Sequence, residues 1–126
     1  MNFPKTEKIH KNNIGRLPCI VSGGTATVHH AQGPSIRARL VLLGFDSSKS
    51  LSMRGNGEAL LLPLAAHYHT GAEGIDGGFG RRKWEETFGE QAILIDQVSL
   101  QVGYDLWELH KLWYTQALPK IFRRRI

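Results

Sequence analysis

The segments ATVHH (26–30) and LLLPLAAHYHTGAEGID (60–76) decide the fold of this chain, because each joins an apolar or β-branched run to a pair of histidines. Thr27 and Val28 are β-branched, and the apolar run of the second segment lies between a glycine and a proline, so both runs favour strands. Helix-forming residues follow Pro63, where a helix can begin. The order strand, loop, strand, helix predicts an α+β fold with a small ββα core.

The segments on either side of this core are predicted from similar patterns. Residues 17–24 (LPCIVSGG) predict a short extended piece and a glycine turn, which would form a hairpin with the strand that ends at His30. Residues 1–16 are polar and lysine-rich, so we expect a flexible basic arm that buries little. Residues 36–44 (IRARLVLLG) are compatible with either a short helix or a strand.

Helices are predicted for the C-terminal third of the chain. The runs KWEETF (83–88) and QAILIDQVSLQV (91–102) have helical character, and Gly89 separates them. Asp105 can cap a last helix. The apolar face of that helix would consist of Leu106, Leu109 and Trp113.

The length of 126 residues suits one domain. We expect that domain over 17–126, with the ββα core in about 17–80 and a helical part in about 81–126. The single cysteine, Cys19, excludes an intrachain disulfide and a multi-cysteine zinc site, which fits a reducing cytoplasm. No apolar run approaches the roughly 18 residues that span a bilayer, and the N-terminus lacks the apolar centre of a secretory signal. We therefore expect a soluble, cytoplasmic protein without a membrane partner.

The charge balance favours a polyanionic partner such as DNA. Sixteen lysines and arginines stand against eleven acidic residues, and the formal net charge is +5. The basic residues cluster in two short runs, which could alternatively be a solvated surface that only aids solubility. The residues expected to contact nucleic acid are Arg81, Arg82, Lys83, Arg123, Arg124 and Arg125.

Four of the six histidines fall in two tight groups, each beside a predicted apolar strand. A neutral imidazole nitrogen can bind a divalent metal, and an imidazole with a pKa near neutrality can take a proton from water. Neighbours on a regular strand point to opposite faces, so His29 and His30 can cooperate only at a strand end or a bulge. The residues after His30 make a strand end there plausible. Alternatively, the pair merely caps a strand.

His67 and His69 are two residues apart, and such residues on a helix face about 200° from one another. Only one of them should join a site with His29 and His30, and we select His69. The simpler alternative is that both are exposed near a helix start.

Four stretches resemble the phage recombination-enhancement HNH nucleases, the Ref-like group. They are PCIVSG (18–23), ATVHH, LLLPLAAHYHTGAEGID and KWEETFG (83–89). The resemblance spans roughly Pro18 to Gln91. It implies a ββα-metal (His-Me finger) DNA endonuclease of phage or prophage origin that acts in the host cytoplasm.

The resemblance also implies roles for the histidines. His29 would bind one divalent metal, His30 would activate water as the general base, and His69 would be a second ligand. Where the group often has a further histidine, this chain has Asp76, whose oxygen suits Mg²⁺ or Mn²⁺, with Zn²⁺ possible. Alternatively, Asp76 is a solvated loop residue. Asn56 is the only candidate in the connecting loop for the structural asparagine of HNH sites, and it is more simply a turn residue.

One departure from the group concerns its structural zinc, which a Cys-x-x-Cys pair and a Cys-x-x-His pair usually hold. Here Cys19 remains, whereas the other three positions are Ser22, Ala65 and Tyr68. We therefore expect no structural zinc and a fold held by apolar packing.

Two other functions remain open. A nuclease-derived phage protein that has lost catalysis could bind a host protein as an inhibitor, and the missing zinc ligands favour that reading. The chain could instead bind nucleic acid without cutting it, through its basic tail and the aromatic residues Trp107, Trp113, Tyr114 and Phe122, although aromatics at helical spacing are more often core. The resemblance also implies possible dependence on a host recombinase filament.

Overall fold

The computed structural model describes residues 3–45 and 58–113, and it shows a mixed α+β fold. The element order is α1 (Phe3–Gly15), β1 (Thr27–His30), α2 (Pro34–Leu42), β2 (Leu61–Leu64), α3 (Ala66–His69), α4 (Gly80–Phe88) and α5 (Gln91–Val102). Residues 106–113 are also helical and are named α6.

The two strands form an antiparallel sheet. Thr27 pairs with Leu64, and His30 pairs with Leu61. Every residue of β2 is buried, because α1, α3 and α5 all contact this strand. Side chains alternate between the faces of a strand, so Thr27 and His29 lie on one face of β1 and His30 lies on the other. The expectation that β1 ends at His30 is confirmed.

Residues 17–24 do not form the first strand of a hairpin, so that prediction is wrong. The Cys19 N–H donates to the Gly24 carbonyl at 2.8 Å, and the Gly23 N–H donates to the Cys19 carbonyl at 2.8 Å. Gly23 has φ 78°, a conformation that glycine adopts without strain. These local hydrogen bonds close a turn, and the strand pairs instead with the fully apolar β2.

Pro63 lies inside β2 and does not begin a helix, which also differs from the prediction. The strand register pairs Pro63 with Val28. The Ala31 N–H donates to the Leu60 carbonyl, and hydrogen-bonded and non-hydrogen-bonded pairs alternate along an antiparallel ladder, so the Val28–Pro63 pair is a non-hydrogen-bonded one. A proline has no N–H to donate, and this position requires none from it. Helix α3 begins three residues later, at Ala66.

The N-terminal segment is a packed helix and not the flexible arm that its composition predicted. His10 and Ile14 lie four residues apart on one face of α1, and both are buried. His10 Nε2 donates to the Ala59 carbonyl at 2.9 Å, and His10 Nδ1 accepts from the Tyr104 hydroxyl at 2.7 Å. The lysines made the segment look solvated, whereas the spacing of its few apolar side chains decided its packing.

The helical part of the chain agrees with the sequence pattern. Helices α4 and α5 lie on either side of Gly89. Residues 36–42 belong to helix α2, whose Ile36 and Leu40 are buried, and residues 43–44 form a turn. Asp105 Oδ1 accepts from the Trp107 N–H at 2.9 Å, so the predicted cap is confirmed. Among the described helices, none combines the length and hydropathy needed to cross a membrane.

Candidate metal centre

Three side chains from β1, α3 and the loop after α3 meet at one point. His29 Nδ1 lies 3.1 Å from Asp76 Oδ2, and His69 Nε2 lies 3.3 Å from the same oxygen. One ligand atom from each residue lies within 4.8 Å of those of the other two. His29 is buried, His69 is half-buried and Asp76 is exposed, so the group opens to solvent at the carboxylate. This group, the His29–His69–Asp76 triad, is able to hold a metal ion.

The glycines after α3 bring Asp76 back to His69. The Asp76 N–H donates to the His69 carbonyl at 2.8 Å. A Cβ on Gly74 would lie only 2.5 Å from that same carbonyl oxygen, and a Cβ on Gly77 would collide with the backbone of Thr70. Only glycine fits these positions, so the glycines allow the loop to return toward His69.

Gln91 determines which nitrogen of His29 carries a proton. Gln91 is fully buried, its Nε2 donates to the Gln32 carbonyl at 2.6 Å, and its Oε1 accepts from the Gln32 N–H at 3.2 Å. A backbone N–H only donates and a carbonyl only accepts, so these two bonds settle the orientation of the Gln91 amide. Oε1 also lies 3.1 Å from His29 Nε2, which therefore carries the hydrogen. The lone pair of neutral His29 lies on Nδ1, facing Asp76.

Thr27 determines which nitrogen of His69 carries a proton. The Thr27 hydroxyl donates to the Leu64 carbonyl at 2.8 Å. A hydroxyl has one hydrogen, so Thr27 Oγ1 must accept from His69 Nδ1, 3.0 Å away. The lone pair of neutral His69 is therefore on Nε2, the atom that faces Asp76.

These tautomers leave two imidazole lone pairs directed at one carboxylate oxygen. Such acceptors cannot hydrogen-bond to one another unless a ring gains a proton, whereas a cation can bind all three. Two ligands bonded to one ion at about 2.0–2.2 Å lie roughly 3.0–3.5 Å apart. The separations of 3.1 Å and 3.3 Å already fall in that range. Ligating histidines also typically donate their other N–H to a protein acceptor, as both do here. The residues present therefore fit a divalent metal.

The electrostatics of His29 favour its ligating form. Burial lowers the pKa of His29 below its usual value, although the hydrogen bond to Gln91 and the charge of Asp76 act in the opposite direction. A neutral imidazole is the form that binds metal. Burial of the ring therefore favours the neutral form of His29, which can bind a cation at neutral pH.

His30 does not belong to the triad. Its side chain leaves the opposite face of β1, where Nε2 lies 3.1 Å from Glu58 Oε2. Lys11 Nζ lies 2.9 Å from the same oxygen. Burial on its own would raise the pKa of Glu58, but the hydrogen bonds from Lys11 and His30 outweigh it and lower that pKa. Glu58 is therefore a carboxylate that accepts the Nε2 hydrogen of His30.

His67 takes no part in the triad either, in agreement with the helical spacing. Its Nε2 lies 2.8 Å from Glu73 Oε1 at the surface. The selection of His69 from this pair is thus consistent with the position of the triad.

The predicted nucleic-acid residues lie in two regions. Arg81 lines a cavity beside the triad, and its Nη1 donates to Glu85 Oε1 at 3.1 Å. Arg82 and Lys83 are exposed on α4. Four of the predicted site residues lie outside the part of the chain that the structure describes. They are Asn56, Arg123, Arg124 and Arg125.

The four positions that were considered for a structural zinc make other contacts in the structure. The Ser22 N–H donates to Cys19 Sγ at 3.4 Å, and the backbone of Ala65 also hydrogen-bonds this thiol. Burial on its own would raise the pKa of Cys19, but the hydrogen bonds outweigh it and lower that pKa. Tyr68 packs against the hydrophobic core, and its carbonyl accepts from Trp84 Nε1 at 3.0 Å. Packing and hydrogen bonds thus join the turn to α3.

Sequence reasoning missed Thr27 and Gln91 as parts of the site. The period of two on a strand could have indicated Thr27, because it places Thr27 on the same face as His29. No local pattern indicated Gln91, which is 62 residues away from His29 along the chain.

Comparisons of the chain with protein-family models, with curated proteins and with solved structures find no match. The geometry of the triad and its surroundings is therefore the basis for a functional assignment.

Proposed function

We propose that the chain is a metal-dependent endonuclease of the HNH type that hydrolyses DNA phosphodiester bonds. The observation that carries this proposal is the convergence of His29 Nδ1, His69 Nε2 and Asp76 Oδ2. The order of β1, β2 and α3 supports a ββα-metal core, because β1 carries His29, α3 carries His69, and β2 pairs with β1 and leads into α3.

The donor set restricts the metal. Imidazole nitrogen suits Zn²⁺, and carboxylate oxygen suits Mg²⁺ and Mn²⁺ but also binds Zn²⁺, so this mixed donor set favours Zn²⁺ or Mn²⁺. A bound divalent cation would neutralise negative charge that develops on the phosphoryl oxygens and on the leaving 3′ oxygen. The exposure of Asp76 leaves a side of the triad open to a phosphate.

His30 has the properties of a general base. Its Nε2 hydrogen is donated to Glu58, so the lone pair of the neutral ring is on Nδ1. Nδ1 would take a proton from water, and the resulting hydroxide would attack phosphorus. The bond from phosphorus to the 3′ oxygen would break, leaving a 5′ phosphate and a 3′ oxygen that takes up a proton from solvent. Glu58 would stabilise the imidazolium that forms, as a carboxylate does beside a catalytic histidine.

The position of His30 constrains this mechanism. His29 and His30 leave opposite faces of β1, so the attacking water must lie beyond the end of the strand. His30 is the last residue of β1, so such a water would not be separated from either side chain by further residues of the strand.

The test measures metal content and DNA cleavage together in wild type, His29→Ala, His30→Ala and His67→Ala. We expect His30→Ala to retain metal and to lose about 10²–10⁴-fold in cleavage rate. His29→Ala should lose both, whereas His67→Ala, the matched control, should lose neither.

Intact plasmid and single-stranded DNA after incubation of the wild type with Mg²⁺, Mn²⁺ or Zn²⁺ would contradict the proposal, provided that an active HNH nuclease cuts both. Metal binding without cleavage would instead favour the nuclease-derived binding protein. Full activity of His30→Ala would mean that another group is the base.

A further inference from the structure

A cavity of about 370 Å³ adjoins the triad on the side of α2 and α4. His29 and Asp76 form one part of its wall, and Arg37 and Arg81 form another. Its volume lies near the lower end of the range of about 300–1,000 Å³ that ligand cavities have. The cavity therefore suits a small unit of a larger ligand.

Arg81 is held in place at this cavity. Its Nη1 donates to Glu85 Oε1, while Glu85 Oε2 accepts from Ser35 Oγ and from the Gln91 N–H. A Cβ on Gly33 would lie 2.6 Å from Arg81 Cδ, so the side chain of Arg81 crosses the start of α2 closely. A guanidinium has five N–H donors, and the bond to Glu85 uses only part of this capacity.

Arg37 is a second arginine that lines the same cavity. It is exposed on α2, and within residues 3–45 and 58–113 its guanidinium makes no hydrogen bond or ion pair. Arginine is the residue that best matches the paired oxygens of a phosphate group. Two guanidinium groups beside a candidate metal site indicate an anionic ligand.

The charges around the cavity imply that this ligand and the metal bind together. Arg37 and Arg81 are positive, whereas Asp76 and Glu85 are negative, so their formal charges cancel. A divalent cation on the triad would make this region positive, and would remove the repulsion between the Asp76 carboxylate and an anion.

We propose that this cavity binds a phosphodiester group of a nucleic-acid strand through Arg37 and Arg81, and that binding is coupled to the metal through Asp76. This inference rests on the proposed nuclease function for the identity of the ligand. It adds Arg37 as a substrate-binding residue, and it makes metal a requirement for tight binding as well as for hydrolysis. The coupling is reciprocal, so the strand should also raise the affinity for metal.

The experiment measures binding of a fluorescein-labelled 16-nucleotide DNA strand by anisotropy, with Mn²⁺ and with EDTA. His30→Ala is the background, which prevents cleavage of the probe under the proposed mechanism. Arg37→Ala and Arg37→Lys are compared with Arg16→Ala, which removes the same charge from an exposed position away from the cavity.

In Mn²⁺, Arg37→Ala should weaken binding about tenfold, as expected for loss of a hydrogen bond to a charged group. It should also reduce the slope of log affinity against log salt by about 0.7, the value for one contact to a single strand. Arg37→Lys should retain the salt slope and lose part of the affinity. In EDTA the effect of Arg37→Ala should fall to that of Arg16→Ala.

Equal effects of Arg37→Ala and Arg16→Ala in Mn²⁺ would overturn the cavity proposal, and an Arg37→Ala effect that persists in EDTA would overturn the coupling. Cleavage by the wild type is measured separately to distinguish the two proposals. If the wild type cleaves but Arg37 has no selective effect on binding, only the cavity proposal fails. If Arg37 has the selective effect and the wild type cleaves nothing, only the nuclease proposal fails.

Discussion

Gln91 Oε1 lies 3.1 Å from His29 Nε2, and this contact joins the first turn of α5 to the sheet. The Gln91 amide is oriented by both backbone groups of Gln32. Helix α5, which carries Gln91, thereby determines which nitrogen of His29 is free to bind a metal. The chemistry of His29 therefore depends on a residue that lies outside β1, β2 and α3.

Substitution of Gln91 should weaken metal binding without removal of a ligand. In Gln91→Ala, His29 loses the acceptor for its Nε2 hydrogen, and we expect Mn²⁺ affinity to fall about 10–100-fold. Isothermal titration calorimetry measures this change, and Gln97→Ala, an exposed glutamine of the same helix, is the control. Equal metal affinities of Gln91→Ala and Gln97→Ala would refute the role assigned to Gln91.

Thr27→Val should act on the other histidine of the triad. Valine has the shape of threonine but cannot accept the Nδ1 hydrogen of His69. The tautomer of His69 with an unprotonated Nε2 is then no longer stabilised. We expect roughly tenfold weaker Mn²⁺ binding, and recovery in Thr27→Ser, because serine retains the hydroxyl. The exposed Thr25→Val is the matched control. Unchanged affinity in Thr27→Val would show that the hydroxyl has no part in metal binding.

Gly74→Ala should disrupt the return of Asp76 to His69. The added Cβ would lie 2.5 Å from the His69 carbonyl oxygen, and backbone must move to relieve the contact. We expect a loss of about 1–3 kcal/mol in the free energy of unfolding, together with weaker metal binding. Urea denaturation and calorimetry measure the two effects. Gly24→Ala meets only the Ser22 side chain at 3.6 Å and should change neither; a similar loss in both variants would argue against the steric explanation.

Buried His10 should make stability depend on pH. Burial lowers the pKa of His10, which outweighs the opposing effects of the Ala59 carbonyl and Glu58. The unfolded chain then binds a proton more readily than the folded chain, so the free energy of unfolding falls as the pH falls below about 6.5. The fall continues down to the lowered pKa of the folded state.

Urea denaturation of wild type and His10→Gln between pH 7.5 and pH 5 measures this contribution. The variant can retain the bond to the Ala59 carbonyl, and its stability should decrease less over this interval. His29 contributes a dependence of the same sign, because burial lowers its pKa too. A steeper or equal decrease in His10→Gln would rule out His10 as a source of the dependence.

Local patterns predicted much of the fold. Helices α4 and α5, the cap at Asp105 and the strand that ends at His30 follow from periodicity and from residue types within a few positions. The predictions that were wrong concern the tertiary contacts that a segment makes. Residues 17–24 looked extended, yet they close a turn, and α1 looked solvated, yet His10 and Ile14 attach it to the core.

The sequence by itself determined which side chains are available for chemistry: paired histidines beside apolar strands, a glycine-rich loop that carries an aspartate, and an excess of basic residues. His29, His69 and Asp76 were already expected as ligands, and the tertiary structure brings their ligand atoms within 4.8 Å of one another, whereas only the tertiary structure decided that His30 contacts Glu58. It also decided that Thr27 and Gln91 direct two lone pairs at one carboxylate. The physical reason is that a coordination site depends on distances and tautomers, and both are set by contacts between residues far apart in the chain.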